Sequence, residues 1–224
     1  MNPVLAYLQF TGYFHYRMAL TILVITICCL PWRPKWINRV RDLLGRVAER
    51  RALAIALTGV LSFIFTSTLA LKRGVPVAYV HDEFSYLLSA DTFAHGRLAN
   101  PSPEVWEPFE SEHILVRPTY QSKYQPGQGI FMALGQVIAG HPIWGVWLSA
   151  ALAAAAMHWA LLGFMSARWA FLGGILTVLH PQLLEWGQRY WGGSVAVLGG
   201  ALLLGAAGRI LREMRPRDAI WAAI

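Results

Sequence analysis

The chain has 224 residues, of which 56% are hydrophobic and 14% charged, and its formal net charge is +7. With ten tryptophans, this composition is typical of a membrane protein and excludes an ordinary soluble domain. The positions of the charges also argue against nucleic acid as a partner. Residues 33–51 carry seven basic and two acidic side chains, whereas residues 74–125 carry three basic and seven acidic ones. Positive residues favour the cytoplasmic side, so we expect the first stretch inside and the second outside.

The N-terminal region, residues 1–51, predicts one membrane helix followed by a basic connector. Residues 14–32 are apolar after an aromatic start, and they are just long enough to span a bilayer. Residues 33–51 then place apolar side chains at helical spacing between arginines. This pattern predicts an amphipathic helix on the inner membrane face, with its arginines at anionic lipid headgroups.

A second membrane span is predicted at residues 52–71, and an external loop at residues 72–141. Within this loop, apolar side chains at helical spacing predict a helix from Glu83 to His95 that stops at Gly96. The proline-rich stretch at residues 100–118 predicts an ordered but irregular loop.

Whether residues 126–140 cross the membrane decides the topology of the C-terminal half. The segment is short for a span and contains four glycines. If it does not cross, spans at 142–164, 170–186 and 191–208 leave the arginines of residues 209–217 in the cytoplasm, as positive residues prefer. We therefore interpret it as a re-entrant or interfacial helix. Residues 218–224 begin another apolar segment, from which we expect the chain to be truncated.

The fold class that follows is all-α. We expect a polytopic helical membrane protein with about five transmembrane helices and an external loop bearing juxtamembrane helices. Residues 52–224 would form the transmembrane domain.

Three polar clusters share the external face in this topology. They are residues 81–83 with Asp82 and Glu83, residues 117–128 with Arg117 and Lys123, and residues 185–191. Ionisable groups near membrane depth tend to mark function. An acid beside cations suits a reaction in which a base activates a hydroxyl while the cations hold a phosphate leaving group.

Simpler interpretations stay open for each cluster. Asp82 could cap the helix that follows it, because acids favour helix N-termini. Lys123 and Arg189 could be interfacial anchors that reach lipid headgroups. Histidines 81, 95 and 113 have no compact metal-ligand spacing, so we assign no metal site. The glycine pairs at 192–193 and 199–200 predict close packing between helices.

In these residues the chain resembles the N-terminal part of family 39-like glycosyltransferases, membrane enzymes of the type C fold related to protein O-mannosyltransferases and bacterial aminoarabinose transferases. The resemblance covers about residue 52 to the C-terminus. It rests on the external Asp82-Glu83 pair with the helix sequence Phe84 to Asp91, on the segment Lys123 to Gly129, and on His180-Pro181 followed by Gln188 to Gly193. The segment at Lys123 is similar to the juxtamembrane Lys-Pro-Pro motif of that family, with Gly127 in place of the second proline.

This resemblance implies a partial type C fold in a bacterial-type inner membrane, with its active face outside the cytoplasm. It implies transfer of a sugar from a polyprenyl-phosphate donor to an acceptor. Asp82 would act as base or orient the acceptor hydroxyl, supported by Glu83, while Lys123 and less directly Arg189 would contact the donor phosphate. Arg117 and Tyr190 complete the candidate substrate-binding residues.

Several alternatives remain beside this expectation. No cofactor is called for, and the participation of a divalent cation stays open. Members of the resembled family are about twice as long, so a missing C-terminal segment or a partner protein could be required. The competing hypothesis is a non-catalytic membrane subunit or scaffold. Besides the lipid-linked donor, the expected partners are membrane lipids.

Overall fold

The computed structural model describes residues 35–213, which are mostly helical. The chain divides into two compact units, residues 1–44 and 45–224, and the predicted span at residues 14–32 lies outside the described part. The described α-helices are α1 (Lys35–Glu49), α2 (Arg51–Arg73), α3 (His81–Ala94), α4 (Pro126–Ala139), α5 (Ile143–Leu161), α6 (Ala167–Val178), α7 (Pro181–Trp186) and α8 (Gly193–Glu213).

Three of these helices, α2, α5 and α8, are long and apolar enough to cross a membrane. The predicted helical class is confirmed, and these helices are consistent with an integral membrane protein. The predicted span at residues 170–186 is divided into two shorter helices, α6 and α7. The division falls before Pro181, because proline has no backbone N–H and disfavours the helical conformation in the residue that precedes it.

The inner face of α2 is a stripe of small side chains at every fourth residue. Ala54, Thr58, Ser62, Thr66 and Ala70 are all buried. The opposite faces of the same helix expose large apolar side chains, which is the distribution expected where lipid surrounds a helix. Small residues let neighbouring helix backbones approach closely, and hydroxyl groups among them bond across the interface.

Side-chain hydrogen bonds across this interface fix the direction of α5. The Thr58 hydroxyl lies 2.9 Å from the Nδ1 atom of His158, and the Ser62 hydroxyl donates to the Ala150 carbonyl at 3.2 Å. Because the later residue on α2 meets the earlier residue on α5, the two helices are antiparallel.

Helix α8 runs parallel to α5. Ala201 packs in one cluster with Ala156 and Ala160, and further along α8 Gly208 lies against the Phe164 ring, just past the end of α5. Next to Gly208, the Arg209 guanidinium donates to the Trp159 carbonyl at 2.6 Å and lies 3.8 Å from the centroid of that ring. Helices α5 and α8 therefore begin at the same end of the bundle.

Helices α6 and α7 together follow the length of α2. At one end, Arg168 pairs with Glu49 at 3.4 Å, and Phe171 packs with Ala54. At the other end, just after α7, the Gln188 amide donates to the Thr66 carbonyl at 3.0 Å. The two short helices thus run parallel to α2 from near its first residue to near its last turn.

The region between α2 and α5 carries two helices and a small sheet. Strands β1 (Asn100–Pro101), β2 (Ile114–Leu115) and β3 (Thr119–Ser122) form an antiparallel sheet in the order β1-β3-β2, with a 3-10 turn at Glu107–Phe109. The expectation of an irregular loop over residues 100–118 was therefore incomplete. Helix α3 also begins two residues earlier than predicted, at His81, and ends at Ala94, one residue before the predicted last residue His95.

The close-packing glycines of α8 differ from those predicted. Among residues 35–213, a side chain at Gly199 or Gly200 would meet no atom within 4 Å, so the prediction of close packing between the described helices was wrong there. The tight positions lie further along the helix, where a Cβ atom on Gly205 would stand 2.8 Å from the Ala160 Cα and one on Gly208 would press against the Phe164 ring. Gly193 does contact the Trp186 ring, as close packing requires.

Candidate functional site

Asp82 lies in the first turn of α3, at the end of the bundle where α2 ends and α5 and α8 begin. The helix is capped by Val80, so the expectation that Asp82 caps it was wrong. Its carboxylate is free of any capping bond, and 42% of the side chain is exposed. An acid in the first turn is still favoured by the helix dipole. The position leaves one carboxylate open to solvent at this end of the bundle.

Two residues from the following loop surround this carboxylate. The His113 Nδ1 atom lies 3.4 Å from an Asp82 oxygen and 2.7 Å from the Tyr124 hydroxyl. The Asp82 carboxylate also acts on the Tyr124 hydroxyl, whose pKa it helps to raise. His113 therefore stands between the Asp82 carboxylate and the Tyr124 hydroxyl and contacts both.

The Tyr124 hydroxyl is held in its neutral form. Burial, then the hydrogen bond and the charge of Asp82, raise the pKa of Tyr124 above its ordinary value. Tyr86 stacks on Tyr124 with ring centroids 4.7 Å apart, and burial followed by the charge of Asp82 raises its pKa too. Both tyrosines therefore stay hydrogen-bond donors at neutral pH.

A buried serine on α3 positions the loop that carries His113. The Ser85 hydroxyl donates to the His113 carbonyl at 2.7 Å and lies 2.7 Å from the Ser122 hydroxyl at the end of β3. Ser85 has no exposed surface, so these contacts are shielded from water. The cluster around Asp82 is consequently fixed by the same helix that bears it.

Glu83 faces the interior rather than the solvent, with only 1% of the residue exposed. One carboxylate oxygen accepts the backbone N–H groups of Tyr79 at 2.8 Å and Val80 at 3.2 Å, and the other accepts that of Tyr190 at 3.0 Å. Three charge-assisted bonds compensate the burial of this group. Glu83 thereby ties the start of α3 to the segment before α8. Its contacts suit the supporting role more than direct chemistry.

Lys123 lies next to the loop that carries His113, and Arg189 directly precedes the residue that bonds Glu83. Lys123 is exposed, its backbone N–H donates to the His113 carbonyl at 3.1 Å, and its ammonium is 3.5 Å from the Ser111 carbonyl. Arg189 precedes the Tyr190 that bonds Glu83, and its guanidinium lies 5.4 Å from the Trp191 ring centroid. Within residues 35–213 neither side chain forms an ion pair with a carboxylate, so both positive charges are available to an anion.

The other two predicted substrate-binding residues lie differently. Arg117 is exposed over the Trp106 ring, at the end of β3 opposite Ser122, and the structure does not bring it to Asp82. Tyr190 is buried, and its hydroxyl donates to the Pro76 carbonyl at 2.7 Å. Its backbone and side chain fasten the segment before α8 to the start of α3. Direct substrate contacts of both residues remain predictions.

A cleft of about 290 Å³ adjoins the Asp82 cluster. It lies between α3, β3 and the start of α4, and Ser122 and Tyr124 form the wall nearest to Asp82. Over the described range 35–213, no three histidine, cysteine or acidic side chains come together as metal ligands. The chemistry available here is that of a carboxylate base, neutral hydroxyl donors and two cations.

Sequence reasoning identified Asp82 but not the residues that surround it. His113 and Tyr124 meet Asp82 only through the folding of the loop between α3 and α4, and no spacing along the chain indicates that contact. The one available signal was the position of Tyr124 directly after Lys123. Comparison with protein-family models, curated proteins and solved structures finds no match to this chain.

Proposed function

We propose that this protein transfers a sugar from a polyprenyl-phosphate donor to an acceptor hydroxyl on the extracytoplasmic side of a membrane. The observation that carries the proposal is the half-exposed Asp82 carboxylate beside His113 and Tyr124 at one end of an apolar helix bundle. At the same end lie Lys123 and Arg189, which form no ion pair within residues 35–213. A lipid-linked substrate presents its reacting group at that depth.

The distribution of charge supports this orientation. Arg50, Arg51, Arg168 and Arg209 lie toward the end of the bundle opposite Asp82, as the contacts of Arg168 with Glu49 and of Arg209 with Trp159 indicate. Lys72 and Arg73 lie at the Asp82 end, but the seven acids of residues 82–112 follow them. Positive residues favour the cytoplasm, so we place the Asp82 end outward. We further propose that α6 and α7 together cross beside α2, which would give four of the five crossings that the sequence predicts.

The proposed step needs a base and a stabilised leaving group. Asp82 accepts the proton of the acceptor hydroxyl, whose oxygen forms a bond to the anomeric carbon of the donor sugar. The bond from that carbon to the phosphate oxygen breaks, and polyprenyl phosphate leaves with the electron pair. Lys123, with Arg189, stabilises the negative charge on the departing phosphate. The neutral Tyr124 hydroxyl orients the Asp82 carboxylate.

The test is a transfer assay with the full chain in membranes and a radiolabelled polyprenyl-phosphate sugar. We expect Asp82→Asn to lower the rate about 10²-fold or more, because amide nitrogen and oxygen provide no base. Asp91→Asn is the matched control, since Asp91 lies on the same helix, is 54% exposed and is paired with His95 at its far end. If the original protein, Asp82→Asn and Asp91→Asn all insert normally and transfer at equal rates, the hypothesis of a non-catalytic scaffold is favoured.

A further inference from the structure

The cleft beside the Asp82 cluster has a chemical character of its own. Its walls carry hydroxyl and amide groups from Ser89 and Thr92 on α3 and from Gln121 and Ser122 on β3. The rings of Phe93 and Tyr124 and the apolar side chains of Leu98 and Pro126 complete it, and none of these described lining residues is charged. Alternating polar groups and aromatic rings suit a ligand with hydroxyl edges and an apolar face, such as a sugar ring.

The lining is uncharged although side chains of both charges lie in the same external region. Four exposed glutamates, at residues 104, 107, 110 and 112, do not line the cleft, and neither do Arg97 and Lys123, which are adjacent to lining residues in the sequence. An anionic ligand would find no cation among the lining residues. The volume of about 290 Å³ is at the lower end for ligand pockets and fits a small unit rather than an extended chain.

The place of the cleft relative to the cations distinguishes donor from acceptor. Lys123 and Arg189, which would hold the donor phosphate, do not line it. Tyr124 does line it, and the hydroxyl of that same residue lies 2.7 Å from His113 Nδ1, the atom that also pairs with Asp82. A ligand in the cleft thus contacts the residue that orients the base.

We propose that this cleft binds the acceptor, and that the acceptor is an uncharged, polyhydroxylated group such as a neutral sugar. Gln121 is the lining residue that determines this preference, because its amide both donates and accepts hydrogen bonds. The role of this ligand as acceptor rests on the proposed transfer function. Its binding to the cleft requires no donor.

The test is saturation-transfer NMR on the full chain in nanodiscs, with the methyl glycosides of glucose, mannose and galactose as probes. We expect at least one of these glycosides to bind. Gln121→Ala should lower its affinity about three- to ten-fold, because one hydrogen bond is lost. Gln121→Glu, which brings a charge into the cleft, should also weaken it. The matched control is Gln125→Ala, four residues further on, because Gln125 is exposed and lies outside the cleft.

Three results would overturn the inference: no binding of any probe, equal affinities for Gln121→Ala and Gln125→Ala, or displacement of the bound glycoside by a polyprenyl-phosphate sugar. Melting temperatures of the variants exclude loss of fold as the cause of weaker binding. Glycoside binding without any transfer activity would overturn the proposed function alone. If Gln121→Glu leaves the rate of transfer unchanged, only the assignment of the cleft as the acceptor site is overturned.

Discussion

At the scale of single residues, the neighbouring acids Asp82 and Glu83 have opposite environments. Asp82 is half-exposed and bonded to side chains, whereas Glu83 is buried and bonded to three backbone N–H groups. The helical geometry separates them, because adjacent residues on a helix point about 100° apart. One therefore suits chemistry and the other holds the fold around it.

Replacing Glu83 by glutamine should destabilise the protein. The amide keeps the shape but loses the charge and turns one acceptor into a donor that faces a backbone N–H group. We expect a loss of about 1.5–3 kcal/mol, the range for hydrogen bonds to charged groups. Thermal melting in detergent measures it, with the exposed Glu112→Gln as control. Loss of transfer with an unchanged melting temperature would contradict the supporting role.

We expect ionisation of the Tyr190 hydroxyl to lower the free energy of unfolding at alkaline pH. Burial, and then the charge of Glu83, raise the pKa of its hydroxyl above the ordinary value of 10.0. The stabilisation by this group is complete below that ordinary value and is lost as the pH rises through the raised pKa. Tyr190→Phe cannot ionise, but it loses the bond to Pro76, which costs about 1 kcal/mol at pH 8.

Unfolding measured from pH 8 to pH 11.5 tests this expectation. The difference in the free energy of unfolding between the original protein and Tyr190→Phe should shrink above pH 10. Two parallel curves would show that ionisation of Tyr190 does not limit stability.

Residue-level prediction reached what is local in the sequence and missed what depends on a long-range contact. The acidic pair after an apolar run indicated that Asp82 lies just beyond the end of α2, and the structure places it there. Its relation to His113 and Tyr124 depends on Ser85, whose hydroxyl contacts the His113 carbonyl and the end of β3. Nothing in the sequence distinguishes Ser85 from Ser89, the other serine on the same helix.

At the scale of elements, backbone approach between helices determines the packing of α8. A Cβ atom on Gly205 would stand 2.8 Å from the Ala160 Cα and would also press on the Trp159 ring. Backbone atoms cannot move aside as a flexible side chain does. We expect Gly205→Ala to cost about 1–3 kcal/mol through overpacking.

The control for this change lies on the same helix. In the part of the chain that the structure describes, the Cβ atom of Gly200→Ala would meet no atom within 4 Å. This change should therefore be neutral or slightly stabilising, since alanine favours helix. Thermal stability of both variants in detergent gives the comparison. Equal melting temperatures for the two would contradict the tight α5–α8 crossing.

Long apolar runs predicted α2, α5 and α8 near their observed bounds because hydrophobicity is a local property of the chain. The break between α6 and α7 was missed, although Pro181 indicates it, because the apolar run continues on both sides of the proline. The sheet in the external region was also missed. Its strands β1 and β2 have two residues each, too short for any alternating pattern.

At the scale of the whole molecule, the proposed orientation makes a prediction about α6 and α7. Cysteine at Glu185 should react with a membrane-impermeant maleimide from outside in right-side-out vesicles, in a background where Cys28 and Cys29 are serine. Cysteine at Arg168 should react only after permeabilisation, because that residue lies by Glu49 at the other end of α2. Both positions are exposed, so burial does not explain a difference.

Reaction of both cysteines from the same side would contradict the crossing. The orientation of α8 would then also reverse, and Arg209 near its C-terminal end would face outward. That arrangement opposes the usual preference of positive residues for the cytoplasm.

The most direct measurement of the central claim is the rate at which the full chain releases polyprenyl phosphate from a polyprenyl-phosphate sugar. We predict release by the original protein and by Asp91→Asn, and a rate about 10²-fold lower or less for Asp82→Asn. Equal release by Asp82→Asn in a protein that inserts normally would contradict the assignment of Asp82 as the base.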